Sequence, residues 1–542
     1  MKEKIYDFEK VLEKGLSIED FFKLFYKNEL SKRTKMSLND IIFNDSPLFT
    51  EMILNAQKNH LKIAVIGDYD ADGMTSSAIM YKTLHYLGID NEIIIPNRFT
   101  NGYGLSVDLV KKAIELNCNL IVTVDNGIVA YEAIDYAKSQ GLMVIVTDHH
   151  SIGDHLPNAD LIINPNLHKD NIKASNICGA FTAFILCRDI LQAVHGSKNL
   201  IEALAELAGI GTIADVMPLE YENNKIVKYT LSNMHRCIDH NIGLRLLAQQ
   251  MFTNLVDATA EDLAFTIIPA LNATGRMEDA TLGFKLLTTT NLSELIFIIN
   301  KITILNDYRK KYSRKYSDIL AKQLNENDKV NCLVLKRTHY DKDEIDVRLE
   351  GIIGIIASKI VEDTQKVTFI FCENENGDLV ASGRTFGNVN ISELVLSSVK
   401  NNEISVIKAG GHAGAMGLTI KKSEFSNFKK VLNSKDINYD DEASIEKVIK
   451  LPINIKIKDL REALNKFEPF GEGFRKPIFR VETTPTGLFV FSKIHSQFEF
   501  KIGGQIEKGL FYFKNNYEIK PMNVKFEIAP DYLNIKDITY LN

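Results

Sequence analysis

The middle of the chain alternates short, continuously apolar runs with longer amphipathic stretches. Four apolar runs predict β-strands: KIAVIG (62–67), EIIIP (92–96), NLIVTV (119–124) and LMVIVT (142–147). The stretches between them have helical spacing. Strands that are apolar on both faces and alternate with helices are typical of a mainly parallel sheet with helices on both sides. The pattern therefore predicts an α/β domain over 61–290, mostly helical beyond about residue 178.

The patterns outside this domain predict four further segments. Residues 1–60 show helical spacing and no chemical motif, and residues 291–324 contain no Gly or Pro and predict one long connecting helix. A second alternation over 325–435 predicts a smaller α/β domain, and short aromatic pieces over 450–542 predict a small β-barrel. The predicted fold class is α/β: a mainly parallel-sheet domain, a long helix, a smaller α/β domain and a C-terminal barrel.

Composition is that of an ordinary globular protein. Of 542 residues, 45% are hydrophobic and 25% charged, which excludes a wholly disordered chain. The net charge of −6 argues against bulk electrostatic binding of nucleic acid, so any contact with a polyanion must be local. Six scattered cysteines predict reduced thiols. Because the N-terminus lacks a secretory signal and no apolar run reaches about 18 residues, we expect a cytoplasmic protein with no membrane partner.

Acids and histidines follow three of the predicted strands. They are Asp68, Asp70 and Asp72 in GDYDADG, then Asp125, then Asp148, His149 and His150. Ligands bind beyond the carboxyl ends of parallel strands, and carboxylates crowded there need cations. Helix capping explains one such acid but not the set. Carboxylates with imidazoles suit Mn²⁺ or Mg²⁺, and two ions sharing a carboxylate form a clamp that hydrolyses phosphate esters. The sequence thus predicts a two-metal phosphodiesterase site.

A set of ordered motifs resembles one enzyme superfamily. GDYDADG, VDNG, DHH and GTIADVMPL, the last containing Asp215, resemble the four acidic motifs of the DHH phosphoesterases, and GGHAGAMGLT resembles the signature of their DHHA1 partner domain. Within that superfamily, five further segments resemble the RecJ family of single-strand-specific exonucleases: PNRFTNGYGLS (96–106), ALNATGRMEDA (270–280), GIIGIIASKI, ASGRT (381–385) and FEPFGEGFRKPIF (467–479). Each motif is weak alone, and the ordered set is specific.

The resemblance implies an activity and a ligand set. The activity is degradation of single-stranded DNA from its 5′ end to mononucleotides, in DNA repair and recombination, with two Mn²⁺ or Mg²⁺ ions per site. The implied metal ligands are Asp70, Asp72, Asp125, His149 and Asp215. Asp68 would bind an ion directly or support a residue that does. His150 would orient the scissile phosphate or its ion, and Asp148 would hold a histidine or backbone group.

The resemblance also implies contacts with DNA. Arg98, Arg276 and Arg384 would bind phosphates, for which the guanidinium fork is suited. Backbone amides of Gly410, Gly411 and Gly414 would form an anion nest around His412, and Tyr103 would stack on a base. Without the motifs, salt bridges, a plain turn and core packing are the commoner interpretations.

Two basic or aromatic segments bear on DNA binding outside these motifs. In YRKKYSRKYS (308–317) the tyrosines recur every four residues, which predicts a packed helical stripe with the bases facing solvent. Tracking of DNA by these bases is the alternative. The C-terminal section resembles the OB-like nucleic-acid-binding domain of the family. Its aromatic residues suit either a stacking platform or a barrel core.

One segment departs from the family, and two other functions stay open. The family usually shows a Trp-His pair before the GIIGIIAS-type helix, where this chain has Arg348 and Leu349. The first alternative is a DHH phosphodiesterase for short oligonucleotides or cyclic dinucleotides, whose members typically lack the C-terminal section. The second is a non-catalytic single-strand DNA-binding scaffold, whose members lose the acids. Single-stranded DNA is the expected partner, with a helicase and a single-strand-binding protein as further candidates.

Overall fold

The structure is a computed structural model. It describes residues 3–33, 37–102, 104–167, 176–234, 240–251, 253–336, 348–439, 446–491, 495–512, 514 and 517–541. The strands are β1 (Glu3–Asp7), β2 (Ile63–Ile66), β3 (Asn91–Ile94), β4 (Leu120–Val124), β5 (Met143–Thr147), β6 (Leu161–Ile163), β7 (Asn331–Leu335), β8 (Thr368–Glu373), β9 (Leu379–Arg384), β10 (Lys408–Gly411), β11 (Ala415–Ile420), β12 (Glu446–Lys450), β13 (Ile478–Thr483), β14 (Gly487–Phe491), β15 (His495–Ile502), β16 (Gln505–Phe511), β17 (Met522–Ile528) and β18 (Leu533–Tyr540).

The helices connect these strands or form a separate layer. They are α1 (Phe8–Leu12), α2 (Ile18–Phe25), α3 (Lys27–Ser31), α4 (Ser46–Lys58), α5 (Ala71–Tyr86), α6 (Val107–Glu115), α7 (Tyr131–Ser139), α8 (Gly179–Ala193), α9 (Lys198–Ala214), α10 (Tyr221–Asn233), α11 (Ile242–Gln250), α12 (Ala260–Asp262), α13 (Ile268–Met277), α14 (Thr281–Thr288), α15 (Leu292–Ala321), α16 (Ile353–Thr364), α17 (Ile391–Lys400), α18 (Phe425–Ser434) and α19 (Ile457–Asn465). A π-helical turn, Leu263–Ile267, joins α12 to α13. As far as the chain is described, no helix is long and apolar enough to cross a membrane.

The first sheet has five parallel strands in the order β3-β2-β4-β5-β6. Every residue of β2 and β4 is buried, which is why both strands are continuously apolar in the sequence. One face packs against a core with α6 and α7, and the other against α5 and α8, which in turn pack against α9. Because β3 and β4 lie on opposite sides of β2, the strand order reverses there. The carboxyl ends of β2 and β4 therefore flank a switch-point crevice, where ligands bind in such folds.

A second sheet follows the long helix α15. Its order is β10-β11-β9-β8-β7, with β7 and β8 parallel and the other neighbours antiparallel. The side chain of Asn291 caps α15 by accepting the N–H groups of Ser293 and Glu294. Tyr312 and Tyr316 are each 1% exposed in the core between α15 and this sheet. The predicted packing of the tyrosine stripe is thus confirmed.

The third sheet combines both ends of the chain. Its order is β1-β12-β13-β17-β18-β16-β15-β14, mostly antiparallel, with β1 parallel to β12. The sequence predicts only helices for residues 1–60, but Glu3–Asp7 forms an edge strand on the C-terminal sheet. Helix α2 then packs Phe22 against Phe467 and Phe479, at ring-centroid distances of 6.0 and 6.3 Å.

The N-terminal segment also contacts the first domain. Arg188 on α8 is fully buried and donates to the backbone carbonyls of Leu38 and Ile41. The carbonyl of Lys32 accepts the N–H of Tyr221 at 2.6 Å. The N-terminal segment thus links the C-terminal sheet to the domain that carries the strand-end acids.

Candidate two-metal active site

The acids after β2 are positioned by the start of helix α5. Asp70 is the N-cap residue, and its Oδ1 accepts the N–H of Gly73 at 3.0 Å. Asp68 and Asp72 are buried on either side of it. Gly73 carries no side chain because a Cβ there would lie 2.6 Å from the backbone of Asp68. The alternating acids of GDYDADG therefore gather around one helix end.

Asp72 is held from the opposite side by helix α8. Its Oδ2 and Oδ1 accept the N–H groups of Gly179 and Ala180 at 2.7 and 2.9 Å, at the positive end of α8. Burial and the charge of Asp70 nevertheless raise the pKa of Asp72 to about 6. A Cβ at Gly211 on α9 would lie 2.6 Å from Asp72 Oδ1, so that glycine allows α9 to approach as well.

Asp125 occupies the centre of the arrangement. It follows β4 directly and has a φ of +65°, a left-handed conformation rare outside glycine. Its Oδ1 lies 3.1 Å from Nε2 of His149, which is also 3.5 Å from Asp215 Oδ2 and 3.9 Å from Asp72 Oδ2. Asp215 is the C-cap residue of α9. Four separate chain segments thus meet at one imidazole nitrogen.

Asp148 organises the two histidines. Its Oδ1 accepts the N–H groups of His149 and His150 at 2.7 and 3.1 Å, and its Oδ2 accepts the N–H of Ile128 at 2.9 Å. Nδ1 of His150 lies 2.7 Å from the same Oδ1. Burial opposes charge on both partners, yet their contact lowers the pKa of Asp148 and raises that of His150 to about 9. The contact with Asp148 thus favours the protonated form of His150, whose side chain is 41% exposed.

Three groups of potential ligand atoms each lie within 4.8 Å: Asp68 with Asp70 and Asp125, Asp72 with His149 and Asp215, and Asp125 with His149 and His150. Asp125 belongs to two of them, as does His149. All the metal ligands predicted from the sequence are brought together here, and Asp68 lies directly among them.

The chemistry of these groups fits divalent cations. Burial and neighbouring acids raise the pKa values of Asp68, Asp125 and Asp215 well above their usual range. Within the described residues, the buried Oδ1 of Asp68 has no hydrogen-bond partner. Burial and the charge of His150 lower the pKa of His149 to about 3, which keeps its imidazole neutral, as a ligand must be. Crowded, repelling carboxylates beside a neutral histidine are a suitable cage for two Mn²⁺ or Mg²⁺ ions.

Known proteins share this architecture. The DHH family, N-terminal domain, matches residues 62–212, and the DHHA1 domain matches residues 346–435. The single-stranded-DNA-specific exonuclease RecJ of Haemophilus influenzae is 30% identical over 465 residues, which are 83% of this chain and 80% of that protein. RecJ of Escherichia coli is 31% identical over 452 residues, 79% and 76% of the two chains. The chain belongs to the RecJ family.

A solved RecJ structure extends the match to most of the fold. RecJ from Thermus thermophilus, crystallised in complex with Mn²⁺, superposes with a TM-score of 0.78 at 25% identity. The match covers 95% of this chain and 75% of that one. The RecJ-family resemblance and the α/β fold class predicted from the sequence are confirmed.

An arginine-rich cleft lies between the RecJ-type domains. Its volume is about 1620 Å³, and its lining includes Arg98, Arg276 and Arg384, which sequence motifs single out. Burial, together with the charges of Arg98 and Arg384, lowers the pKa of Arg276 to about 9. The charge of Asp70 acts on Arg276 in the opposite sense, so the arginines and the acids share one electrostatic environment. Such mutually repelling cations would be neutralised by a bound polyanion.

The glycine-rich loop faces the same region. Burial, then the charges of Arg384 and His150, lower the pKa of His412. Gly410 and Gly411 end β10, whereas the N–H of Gly414 donates to His412 Nδ1 at 3.1 Å. The predicted anion nest would therefore need the His412 ring to turn away before Gly414 could bind an anion. Tyr103 lies outside the described residues.

Several asparagines that support the two histidines could not be predicted from the sequence. Asn164 and Asn166 donate to the carbonyls of His150 and His149 at 2.9 and 3.0 Å, and the amide of Asn176 lies 3.3 Å from His149 Nδ1. These contacts orient the histidine backbone and ring. The sequence carries no signal for them, because the strand β6 that NPN (164–166) follows is only three residues long.

Proposed function

We propose that this chain is a metal-dependent exonuclease that degrades single-stranded DNA to mononucleotides from the 5′ end. The observation that carries this proposal is the joint placement of a carboxylate–histidine cage and an arginine cleft at the switch point of a RecJ-family fold. The proposed division of the chain is a DHH domain (61–290), a connecting helix (291–324), a DHHA1 domain (325–435) and an OB-like domain (450–542) after the N-terminal segment (1–60).

The carboxylates would hold two ions. Asp68 and Asp70 face one position and Asp72, His149 and Asp215 the other, with Asp125 in contact with both groups. When bound, Mn²⁺ or Mg²⁺ ions sharing a carboxylate activate a water and neutralise charge on the leaving oxygen. Asp125 would contribute to holding both ions, because it lies between the groups. The RecJ structure with Mn²⁺ supports the choice of metal.

His150 would position the scissile phosphate. Its contact with Asp148 keeps the imidazolium protonated, so Nε2 can donate a charge-assisted hydrogen bond to a phosphate oxygen. Asp148 itself is fixed by backbone N–H groups. Its oxygens would accept these hydrogen bonds rather than bind an ion. Substrate orientation, rather than proton removal from water, is the role that this arrangement supports.

The arginines would bind the strand end. Arg98 is held over the Tyr69 ring, with its Cζ 4.2 Å from the ring centroid, and Arg384 donates to Ser382 Oγ and the Gly383 carbonyl at 2.9 and 2.8 Å. Arg276 donates to the Gly351 carbonyl at 3.4 Å. Each guanidinium is thus oriented before substrate arrives, which lowers the entropic cost of binding phosphate. A 5′-terminal phosphate would neutralise their mutual repulsion.

A time course with Mn²⁺ on a long single strand, labelled at either end, tests this proposal. We expect the 5′ label to be released as mononucleotide while a duplex stays intact. Turnover of a dinucleotide control alone would place the chain with the short-oligonucleotide phosphodiesterases, and binding without turnover would make it a scaffold.

We further propose a helicase and a single-strand-binding protein as partners, and a cytoplasmic location. Co-purification from cells with the tagged full chain tests both partners.

A further inference from the structure

A second cation–aromatic pair crosses the arginine cleft. Phe99, the residue after Arg98, lies under the guanidinium of Arg348, whose Cζ is 4.8 Å from the ring centroid. Phe99 belongs to the loop after β3 in the first domain, whereas Arg348 directly precedes the 3₁₀ turn Leu349–Gly351 that leads into α16. Both residues line the cleft. The pair therefore joins the two walls of the cleft beside Arg98.

Arg348 is held in position by the Phe99 ring. It is half-buried, and no carboxylate of the described part of the chain forms an ion pair with it. The turn that it begins ends at Gly351, whose carbonyl accepts from Arg276. A Cβ at Gly351 would lie 1.7 Å from the Arg276 carbonyl oxygen, so this turn sits directly against α13. The position of Arg348 is thus tied to that of Arg276.

We propose that Arg348 binds a backbone phosphate of the substrate strand adjacent to the phosphate held by Arg98, Arg276 and Arg384. The inference rests on the proposed function. A guanidinium stacked on an aromatic ring keeps its N–H edge free for a phosphate, which makes stacked arginine a directional binding group. Phe99 is the positioning residue, since it fixes the plane of the guanidinium without a charge of its own.

Neighbouring Leu349 has a different role. It is 6% exposed and belongs to the hydrophobic core that includes Met277 and Ile353. It anchors the turn in that core while Arg348 faces the cleft. Substitution of Arg348 therefore changes the cleft without removing this anchor.

The experiment measures how salt weakens the interaction with a single strand. For single strands the slope of log K against log salt is about −0.7 per phosphate neutralised. With the full Mn²⁺-loaded chain and an oligothymidylate, Arg348→Ala should make the slope of log kcat/KM shallower by about 0.7. KM should rise about tenfold at low salt with kcat unchanged, because a contact to a neighbouring phosphate is equally strong in ground and transition states. Equilibrium binding in chelator, where the strand is not cut, should show the same change of slope.

Three further variants separate charge from structure. Arg348→Lys should retain the wild-type slope, and Phe99→Leu should raise KM by less than Arg348→Ala does. The matched control is Lys198→Ala, which removes an 88% exposed lysine paired with Glu202 on the surface, at the end of α9 far from Asp215. It should leave both slope and KM unchanged.

The outcomes distinguish this inference from the proposed function. A wild-type chain that neither binds nor cuts the strand would refute the proposed function itself. If the wild-type chain both binds and cuts the strand, and the salt slope of Arg348→Ala is unchanged, only the role of Arg348 is overturned. Should Arg348→Ala fail to give a cooperative unfolding transition, the slope of Arg348→Gln decides the question in the same way.

Discussion

Gly179 begins helix α8 where the helix approaches the acids most closely. A Cβ on Gly179 would lie 2.5 Å from both Cβ and Oδ1 of Asp125. Its N–H also donates to Asp72 Oδ2 at 2.7 Å. Since ordinary van der Waals contact begins at 3.4 Å, Gly179→Ala must move the helix end or the carboxylate by the difference, about 0.9 Å.

The displacement has two calculable effects. Overpacking of this kind costs about 1–3 kcal/mol of folding free energy. A catalytic group displaced by about 1 Å loses roughly 10²-fold in rate. We therefore expect kcat on single strands to fall about 100-fold and Mn²⁺ affinity to weaken. Strand binding should persist, because the arginines lie on other elements.

The control variant crowds a site in a different domain, remote from the acids. In Gly509→Ala the new Cβ would lie 2.7 Å from a ring carbon of Phe500 and 2.8 Å from Ile535 Cδ1, inside the C-terminal sheet. Urea unfolding measures the stability of both variants, kinetics at saturating strand gives kcat, and calorimetric titration gives Mn²⁺ affinity. Wild-type kcat and Mn²⁺ affinity in Gly179→Ala, or an equal kcat loss in Gly509→Ala, would refute the reasoning.

Three further substitutions test the site and its support. Asp125→Asn should abolish hydrolysis and reduce the amount of Mn²⁺ bound in calorimetry. It should not destabilise the metal-free chain, because it removes a buried carboxylate that the neighbouring acids repel. Retained turnover would contradict the role of Asp125 in holding both ions. Arg276→Met should raise the free energy of unfolding of the free protein in urea, since burial and neighbouring arginines oppose the charge of Arg276, and it should raise KM for strands; a loss of stability would contradict this. Arg188→Met should cost about 3–5 kcal/mol of folding free energy, because Asp189 loses its ion-pair partner and the carbonyls of Leu38 and Ile41 lose their donor. The kcat per folded molecule should stay unchanged, and unaltered urea unfolding would count against this link to the N-terminal segment.

Burial explains which strands can be predicted from the sequence. Strands β2 and β4 are buried on both faces and leave continuous apolar runs, so their positions are readable. Strand β1 (Glu3–Asp7) lies at a sheet edge, with three exposed residues, and exists because β12 is available as a partner. Strand β6 has three residues, too few for a pattern. Edge and short strands depend on contacts that no local pattern records.

The candidate site divides in a similar way. The acids after the strands could be predicted to converge, because parallel strands place their carboxyl ends at one edge. The close approach of Gly179 and Gly211 to the acids could not be predicted. Each glycine matters only because it leaves room for a carboxylate that is remote in sequence. The stacking of Arg348 on Phe99 likewise joins residues far apart in sequence. None of these contacts leaves a periodic pattern in the sequence.

The sequence alone determined the chemistry of this protein: the kinds of ligand, the strands that carry them and the family to which they belong. These follow from residue type and local spacing, which act over a few residues. Only the tertiary structure decided that Asp125 lies between two ligand groups, that burial lowers the pKa of His149 while the contact with Asp148 raises that of His150, and that arginines from two domains face one cleft. Those properties arise from burial and from distances between remote segments, which exist only once the chain has folded.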